Sequence, residues 1–334
     1  MKAYEIVSAD GIDALKLAER DAPEPGPGEV LVRIRASSLN YRDLMTVMDP
    51  VARKLPYPRV PNSDGAGEVV AAGPGAARFK VGDRVAGCFF QRWEGGRISA
   101  DGMASALGGA LDGVLAQQVV LREGGLVSVP EHLSFEEAAT LPCAALTAWH
   151  SLIEMGQVKA GETVLLLGTG GVSVFALQFA VMHGARAIVT SSSDAKLARA
   201  RDMGAWQTVN YKDTPDWDKA VMDLTGGRGV DHVVEVGGAG TLGKSIEAAR
   251  VGGRIGLIGV LTGGQIDPTA MMRKSLRVQG IYVGSRAMFE AMNRAISACG
   301  LRPVIDRTFP FDDARAAYHH MRGASHFGKI VVAV

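Results

Sequence analysis

Val164-Leu165-Leu166-Leu167-Gly168-Thr169-Gly170-Gly171-Val172-Ser173 decides how this chain reads. An unbroken apolar run meets a cluster of glycines, and helical spacing resumes at Phe175, Ala176, Phe179 and Ala180. A strand with no polar face is one buried on both sides, as in a parallel sheet. A glycine turn between such a strand and a helix lets backbone N–H groups and the positive end of the helix dipole approach a pyrophosphate. Gly168, Thr169, Gly170, Gly171 and Val172 are therefore candidate dinucleotide contacts. The fingerprint Gly-x-Gly-x-x-Gly is incomplete, because Ser173 stands at its third glycine, and an ordinary strand-to-helix turn reads the same way from these residues alone.

Working outward, apolar strands at 164–167, 187–190, 232–236 and 254–259 alternate with helical stretches at 172–183, 195–203, 214–225 and 241–249. Such alternation predicts a doubly wound parallel sheet of the α/β class, the context a dinucleotide loop requires. Residues 1–122 read differently, as short β-like runs between Gly and Pro turns, for example Val30–Ala36 after Pro23-Glu24-Pro25-Gly26-Pro27-Gly28. The end of the chain, finishing in Gly328-Lys329-Ile330-Val331-Val332, returns to a strand-helix-strand pattern. We expect one domain from 1–122 with 300–334 and a second from 123–299. The glycine-rich stretch Glu94 to Gly113 is expected to be a surface loop.

With 334 residues the chain accommodates two domains at roughly 150 residues each. Lys+Arg 36 against Asp+Glu 35 leaves a net charge of +1, so neither nucleic acid nor an anionic membrane is an expected partner, and a small molecule is. No apolar run approaches the ~20 residues that span a bilayer, and the start lacks a signal-peptide core, which predicts a cytoplasmic protein. Cys88, Cys143 and Cys299 have neither disulfide nor zinc-ribbon spacing.

Further matches are Asn40-Tyr41-Arg42-Asp43, Gly65-Ala66-Gly67-Glu68-Val69, Gly82-Asp83-Arg84-Val85 and Leu141-Pro142-Cys143-Ala144-Ala145. With the Gly-x-Gly-Gly-Val loop and the closing Gly-Lys-Ile-Val, the chain resembles the medium-chain dehydrogenase/reductase superfamily along essentially its whole length. The resemblance implies a GroES-like β-rich catalytic domain plus a Rossmann domain, with the active site in the cleft between them. Zinc members would hold their ligands at positions matching Asn40, Ser63 with Asp64, and Cys143. One thiol and one carboxylate fall short of three protein ligands, so we expect no zinc and a relative of the quinone oxidoreductase and enoyl reductase branches. Cys143 then reads as a small helical core residue.

Without a metal, hydrogen-bond donors must polarise a carbonyl oxygen while the cofactor supplies hydride. The resemblance puts Asn40, Tyr41, Arg42 and Asp43 beside the nicotinamide: Asn40 and Tyr41 as donors, Asp43 orienting Arg42. Asp64, with Asn62 and Ser63, either lines the pocket or caps a turn, and Thr147 is a candidate cofactor contact. After the second strand, Ser191, Ser192, Ser193 and Lys196 replace the acidic residue of an NAD site, and Tyr211 joins them by resemblance. These favour NADP(H), with Asp194 dissenting toward NAD(H); Ser193 or Asp194 equally reads as a helix cap. Gly237, then Gly259, Val260 and Leu261, then Val283, Gly284 and Ser285 complete the cofactor set, with Lys329 as an extra contact. His319 and His320 read as surface residues. The expected protein is an NADP(H)-dependent, zinc-independent reductase of a quinone, enone or other carbonyl, and a homodimer. An alcohol or aldehyde dehydrogenase, and an NADPH-binding sensor with little turnover, are the alternatives.

Overall fold

A computed structural model describes residues 1–334, which form two compact units: Met1–Leu146 with Val283–Val334, and Thr147–Tyr282.

The second unit is a six-stranded sheet ordered Gln207–Asn210, Arg186–Ser191, Thr163–Leu167, Val230–Glu235, Ala249–Leu257 and Arg277–Gly280. Every neighbouring pair is parallel. Thr163–Leu167 is buried along its whole length, as its unbroken apolar run predicts. Leu165, Leu167, Ile188, Val233 and Ile255 pack against Trp217, Val221, Leu242 and Ile246 of the covering helices. The order reverses between Thr163–Leu167 and Val230–Glu235, so the loops leaving those two strands flank the point at which such sheets bind ligands.

In the first unit a seven-stranded sheet is organised by one long strand, Glu29–Leu39. It pairs with Asp64–Ala72, with Gln118–Arg122 and, through its last residues, with Lys329–Ala333. Ser38 lies opposite Asp64, and Leu39 opposite Ile330. That register brings Asn40, Asp64 and Lys329 to one place from three strands. Val30, Val32, Ile34, Val69, Val85 and Leu126 fill one core, and Leu39, Leu44, Phe311, Tyr318, Ile330 and Val332 another. Full burial of each such large apolar side chain contributes roughly 1.5–3 kcal/mol.

The unit boundaries, expected at 122 and 300, lie instead at 146 and 283. The helix Arg286–Cys299 belongs with the β-rich unit because Asn293 Nδ2 donates to the Ser128 carbonyl (3.0 Å) and Arg286 to the Gly124 carbonyl (2.8 Å). Nothing in the alternation of strands and helices marks such a change of partner. Nor is Glu94 to Gly113 a surface loop throughout: Ser105, Ala106 and Leu107 are buried, and Ala100–Met103 is a short helix capped by Ser99. His319 and His320 are half-buried, each bonded to a carboxylate at 2.8 Å, Asp13 and Asp306 respectively. No helix is long and apolar enough to cross a membrane.

Candidate functional site

Asn40 ends the long strand and caps the helix Tyr41–Met48. Asp43, in the first turn, reaches back to accept from the Asn40 N–H at 2.8 Å, which satisfies a donor that a helix start otherwise leaves without a partner. The other Asp43 oxygen accepts from Arg42 Nη1 at 3.0 Å, and Arg42 also donates to the Leu107 carbonyl at 2.8 Å. The Arg42 guanidinium lies over the Phe89 ring, 4.9 Å from its centroid. Tyr41, by contrast, points outward and is 47% exposed.

Asp64 is fully buried. Its Oδ1 accepts from Ser63 Oγ (2.6 Å) and its Oδ2 from the Cys143 N–H (3.0 Å). Burial pushes its carboxyl up to about 6 and the Asp43 charge adds to that, against the lowering pull of Lys329, Ser63 and Asn40. Asn40 Nδ2 donates to Ser63 Oγ at 3.4 Å. Lys329, only 3% exposed, donates to the Leu39 carbonyl and to Asn40 Oδ1, each at 2.6 Å. Burial pulls the Lys329 ammonium down, and the charges of Asp64 and Asp43 push it up. Below the cluster, Asn62 sits at φ 67°, accepts from the buried Tyr318 hydroxyl and donates to Ser37 Oγ at 2.9 Å. No three His, Cys, Asp or Glu side chains converge as a metal site would require. The contribution of Cys143 is its backbone N–H, and burial raises its thiol well above the usual range.

In the second unit, no side chain caps the helix Gly171–Met182, so its first-turn N–H groups remain for a ligand. Gly168 has φ +73°, a conformation that favours glycine. Gly170 does not need glycine for that reason, since its φ is −77° and a Cβ there would meet nothing within 4 Å. That open space is what an approaching pyrophosphate would fill. Ser173 answers for the missing third glycine by donating from Oγ to the Leu167 carbonyl at 2.6 Å, closing the turn from inside.

One strand over, the Tyr211 N–H donates to the Ser191 carbonyl (3.0 Å), bringing Tyr211 to the serine run. Ser193 caps the next helix by accepting from the Lys196 N–H at 3.5 Å, and Lys196 is half-buried. Asp194 Oδ1 accepts from Asn210 Nδ2 at 2.9 Å.

Sequence reasoning missed Glu235, which is fully buried at the end of its strand. Its Oε1 accepts from the N–H groups of Gly237 (2.7 Å) and Gly238 (3.0 Å) and from Thr241 Oγ1 (2.6 Å), and its Oε2 from Ser245 Oγ. Thr262 Oγ1 and N–H both donate to the Gly237 carbonyl at 3.1 Å. A carboxylate directly before Val236-Gly237-Gly238 was the available signal. A Cβ on Gly259 would fall on the Val236 carbonyl, whereas Val260 and Leu261 stand 81% and 51% exposed.

The remaining predicted cofactor contacts fall on either side of the unit boundaries. Thr147 is buried at the start of the second unit, whereas Val283, Gly284 and Ser285 open the returning segment of the first. Val283 has φ 54°, a Cβ on Gly284 would lie 2.8 Å from Leu146, and Ser285 caps Arg286–Cys299. Lys329, expected among the cofactor contacts, is held in the Asn40–Asp64 cluster, because its strand pairs beside Leu39.

Comparison with known proteins also divides the chain in two, with the second match running on into the helix Arg286–Cys299. Residues 26–131 match the alcohol dehydrogenase GroES-like domain, and 171–298 the zinc-binding dehydrogenase family. A zinc-type alcohol dehydrogenase-like protein of Schizosaccharomyces pombe is 44% identical, over 97% of this chain and 96% of its own. A crotonyl-CoA reductase of Streptomyces avermitilis is 30% identical, over 96% of this chain and 82% of its own. The solved structure of an NAD-dependent alcohol dehydrogenase superposes with a TM-score of 0.91 at 36% identity, over 100% of both chains. A 2-octenoyl-CoA carboxylase reductase, solved with NADP and 2-octenoyl-CoA, superposes at 0.88 and 27% identity, over 99% of this chain and 87% of its own. The chain belongs to the medium-chain dehydrogenase/reductase superfamily and is an oxidoreductase.

Proposed function

We propose that this oxidoreductase reduces an α,β-unsaturated carbonyl, or a chemically similar quinone, with NADPH and without zinc. The observation that carries the reading is the buried Asn40–Ser63–Asp64–Lys329 cluster, which presents hydrogen-bond donors where zinc relatives hold metal ligands. Bound in the Gly168–Val172 loop, NADPH would supply hydride to the β-carbon. The electron pair displaced from the double bond moves onto the substrate oxygen, and the Asn40 N–H stabilises the charge that develops there. Arg42, bonded to Asp43 and to the Leu107 carbonyl, holds the helix start that carries Asn40. A proton taken up at the α-carbon completes the reduction.

For the cofactor, Ser191, Ser192, Lys196 and Tyr211 are the donors for a 2′-phosphate. Asp194, the residue that speaks for NAD, has its Oδ1 engaged by Asn210 Nδ2 at 2.9 Å, which weakens its claim on a ribose hydroxyl. NADP in the 2-octenoyl-CoA enzyme supports the same choice. The edge strand Arg277–Gly280 is the surface through which a second copy would extend the sheet.

The test is oxidation of NADPH and of NADH by the purified protein with 2-cyclohexenone, 1,4-benzoquinone and benzaldehyde. We expect turnover with the enone or the quinone, and at least tenfold higher kcat/KM with NADPH than with NADH. Turnover of the aldehyde alone would move the assignment to the alcohol dehydrogenase reading, and tight NADPH binding with no turnover to the sensor reading.

A further inference from the structure

Asn40 could face its surroundings in two ways, because the two ends of an amide are nearly identical in shape and opposite in hydrogen-bonding character. Which end is presented decides whether the residue helps or opposes negative charge on a neighbouring oxygen. Lys329 settles the choice. An ammonium has three N–H donors and no acceptor, so the amide atom 2.6 Å from Nζ is Oδ1. Exchange of the two ends would set an N–H against an N–H at that distance.

The ammonium is itself held at a second point. It is nearly fully buried, and its second bond, to the Leu39 carbonyl at 2.6 Å, ties it to the residue preceding Asn40. Register sets that placement, because Lys329–Ala333 runs antiparallel to Glu29–Leu39 with Ile330 opposite Leu39. The other end of the amide is constrained more loosely: Nδ2 reaches Ser63 Oγ at 3.4 Å, and Ser63 gives its own proton to Asp64. A hydroxyl can donate or accept by rotation, so Ser63 alone does not discriminate between the two orientations of Asn40.

We propose that Lys329 is a positioning residue for the reaction: its ammonium locks the Asn40 amide with Oδ1 inward, so that Nδ2 is presented as a donor to the substrate oxygen. This rests on the reading above in which Asn40 donates to that oxygen. In this role Lys329 acts through Asn40 and not by its own contact with the substrate. Its effect falls on the rate of hydride transfer and leaves cofactor affinity unchanged.

A double-mutant cycle in the full chain tests this, using Asn40→Ala, Lys329→Met and the pair, with whichever of 2-cyclohexenone or 1,4-benzoquinone the wild type turns over. We expect Asn40→Ala to lower kcat at least tenfold, Lys329→Met to lower it five- to tenfold, and the pair to be no slower than Asn40→Ala alone. NADPH affinity, read by nucleotide fluorescence, should stay within twofold throughout. Multiplication of the two losses in the pair, or an unchanged kcat in Lys329→Met, would overturn the positioning role. An unchanged kcat in Asn40→Ala would instead overturn the assignment of Asn40 as donor. Should Lys329→Met fail to fold, Lys329→Gln carries the same cycle, because its amide retains polar character at the buried position. Thermal melts of every variant identify that case.

Discussion

Two buried carboxylates sit at comparable places in the two units and are held in opposite ways. Glu235 is surrounded by local donors: Gly237, Gly238, Thr241 and Ser245 all lie within the next ten positions. Asp64 is held by Ser63 next to it, by Cys143 79 positions away, and by the charge of Lys329 from the opposite end of the sequence. One is the centre of a turn that its own segment builds. The other is a meeting point of strands. A carboxylate with four short-range donors is a structural pin, whereas one that burial drives up to about 6 is poised to change charge near neutrality.

The largest effect should separate these roles most sharply. Glu235→Ala leaves the Gly237 and Gly238 N–H groups without their acceptor, and at roughly 1–3 kcal/mol for each such group the loss should be about 4 kcal/mol. Denaturant unfolding checks this, and a loss below about 1 kcal/mol would mean that the turn holds itself together without the carboxylate.

Asp64→Asn should give a smaller effect that depends on pH. The folded pKa of Asp64, about 6, lies above its ordinary 3.8, so the native state holds the proton more tightly than the unfolded chain. Its contribution to stability therefore falls as pH rises from about 4 to about 6, and levels off above that. Relative to wild type, the asparagine variant should gain up to about 3 kcal/mol between pH 4 and pH 7. A difference that is flat with pH would show that burial does not lift the Asp64 carboxyl above its ordinary value.

The smallest effect concerns the loop beside the Glu235 turn. Gly170→Ala meets nothing within 4 Å, so Tm should move by no more than about 2 °C. NADPH should nonetheless bind about tenfold more weakly, a difference of about 1.4 kcal/mol, because the methyl group takes space the pyrophosphate needs. Equal affinity for the two proteins would place the pyrophosphate elsewhere.

The same contrast explains what could be read from the sequence. The parallel sheet was legible because its strands are buried on both faces and its turns are local: Val164–Ser173 carries strand, turn and helix start within ten residues. Ser191 and Tyr211 were linked by the family resemblance, and the structure adds that both leave adjacent strands. The bond partners of Lys329 were not legible, since nothing in Gly328-Lys329-Ile330 states which strand it will pair with. Register across a sheet is a tertiary property, and one residue of slip would turn Lys329 to the other face. Arg286–Cys299 posed the same difficulty, its partner being chosen by contacts at Gly124 and Ser128.

The long strand Glu29–Leu39 also has a consequence for the order in which the molecule assembles. Asn40 and Lys329 are 289 positions apart, and the whole of Thr147–Tyr282 lies between the segments that supply them. The β-rich unit therefore finishes folding only by closing a very long loop, whose entropic cost falls if the intervening chain is already compact. The parallel unit, built from contacts of shorter range, is the natural early folder, and contacts like that between Asn40 and Lys329 are late. A lesion deep in the parallel sheet should then slow the appearance of the Asn40 site during refolding, although it touches none of that site's residues.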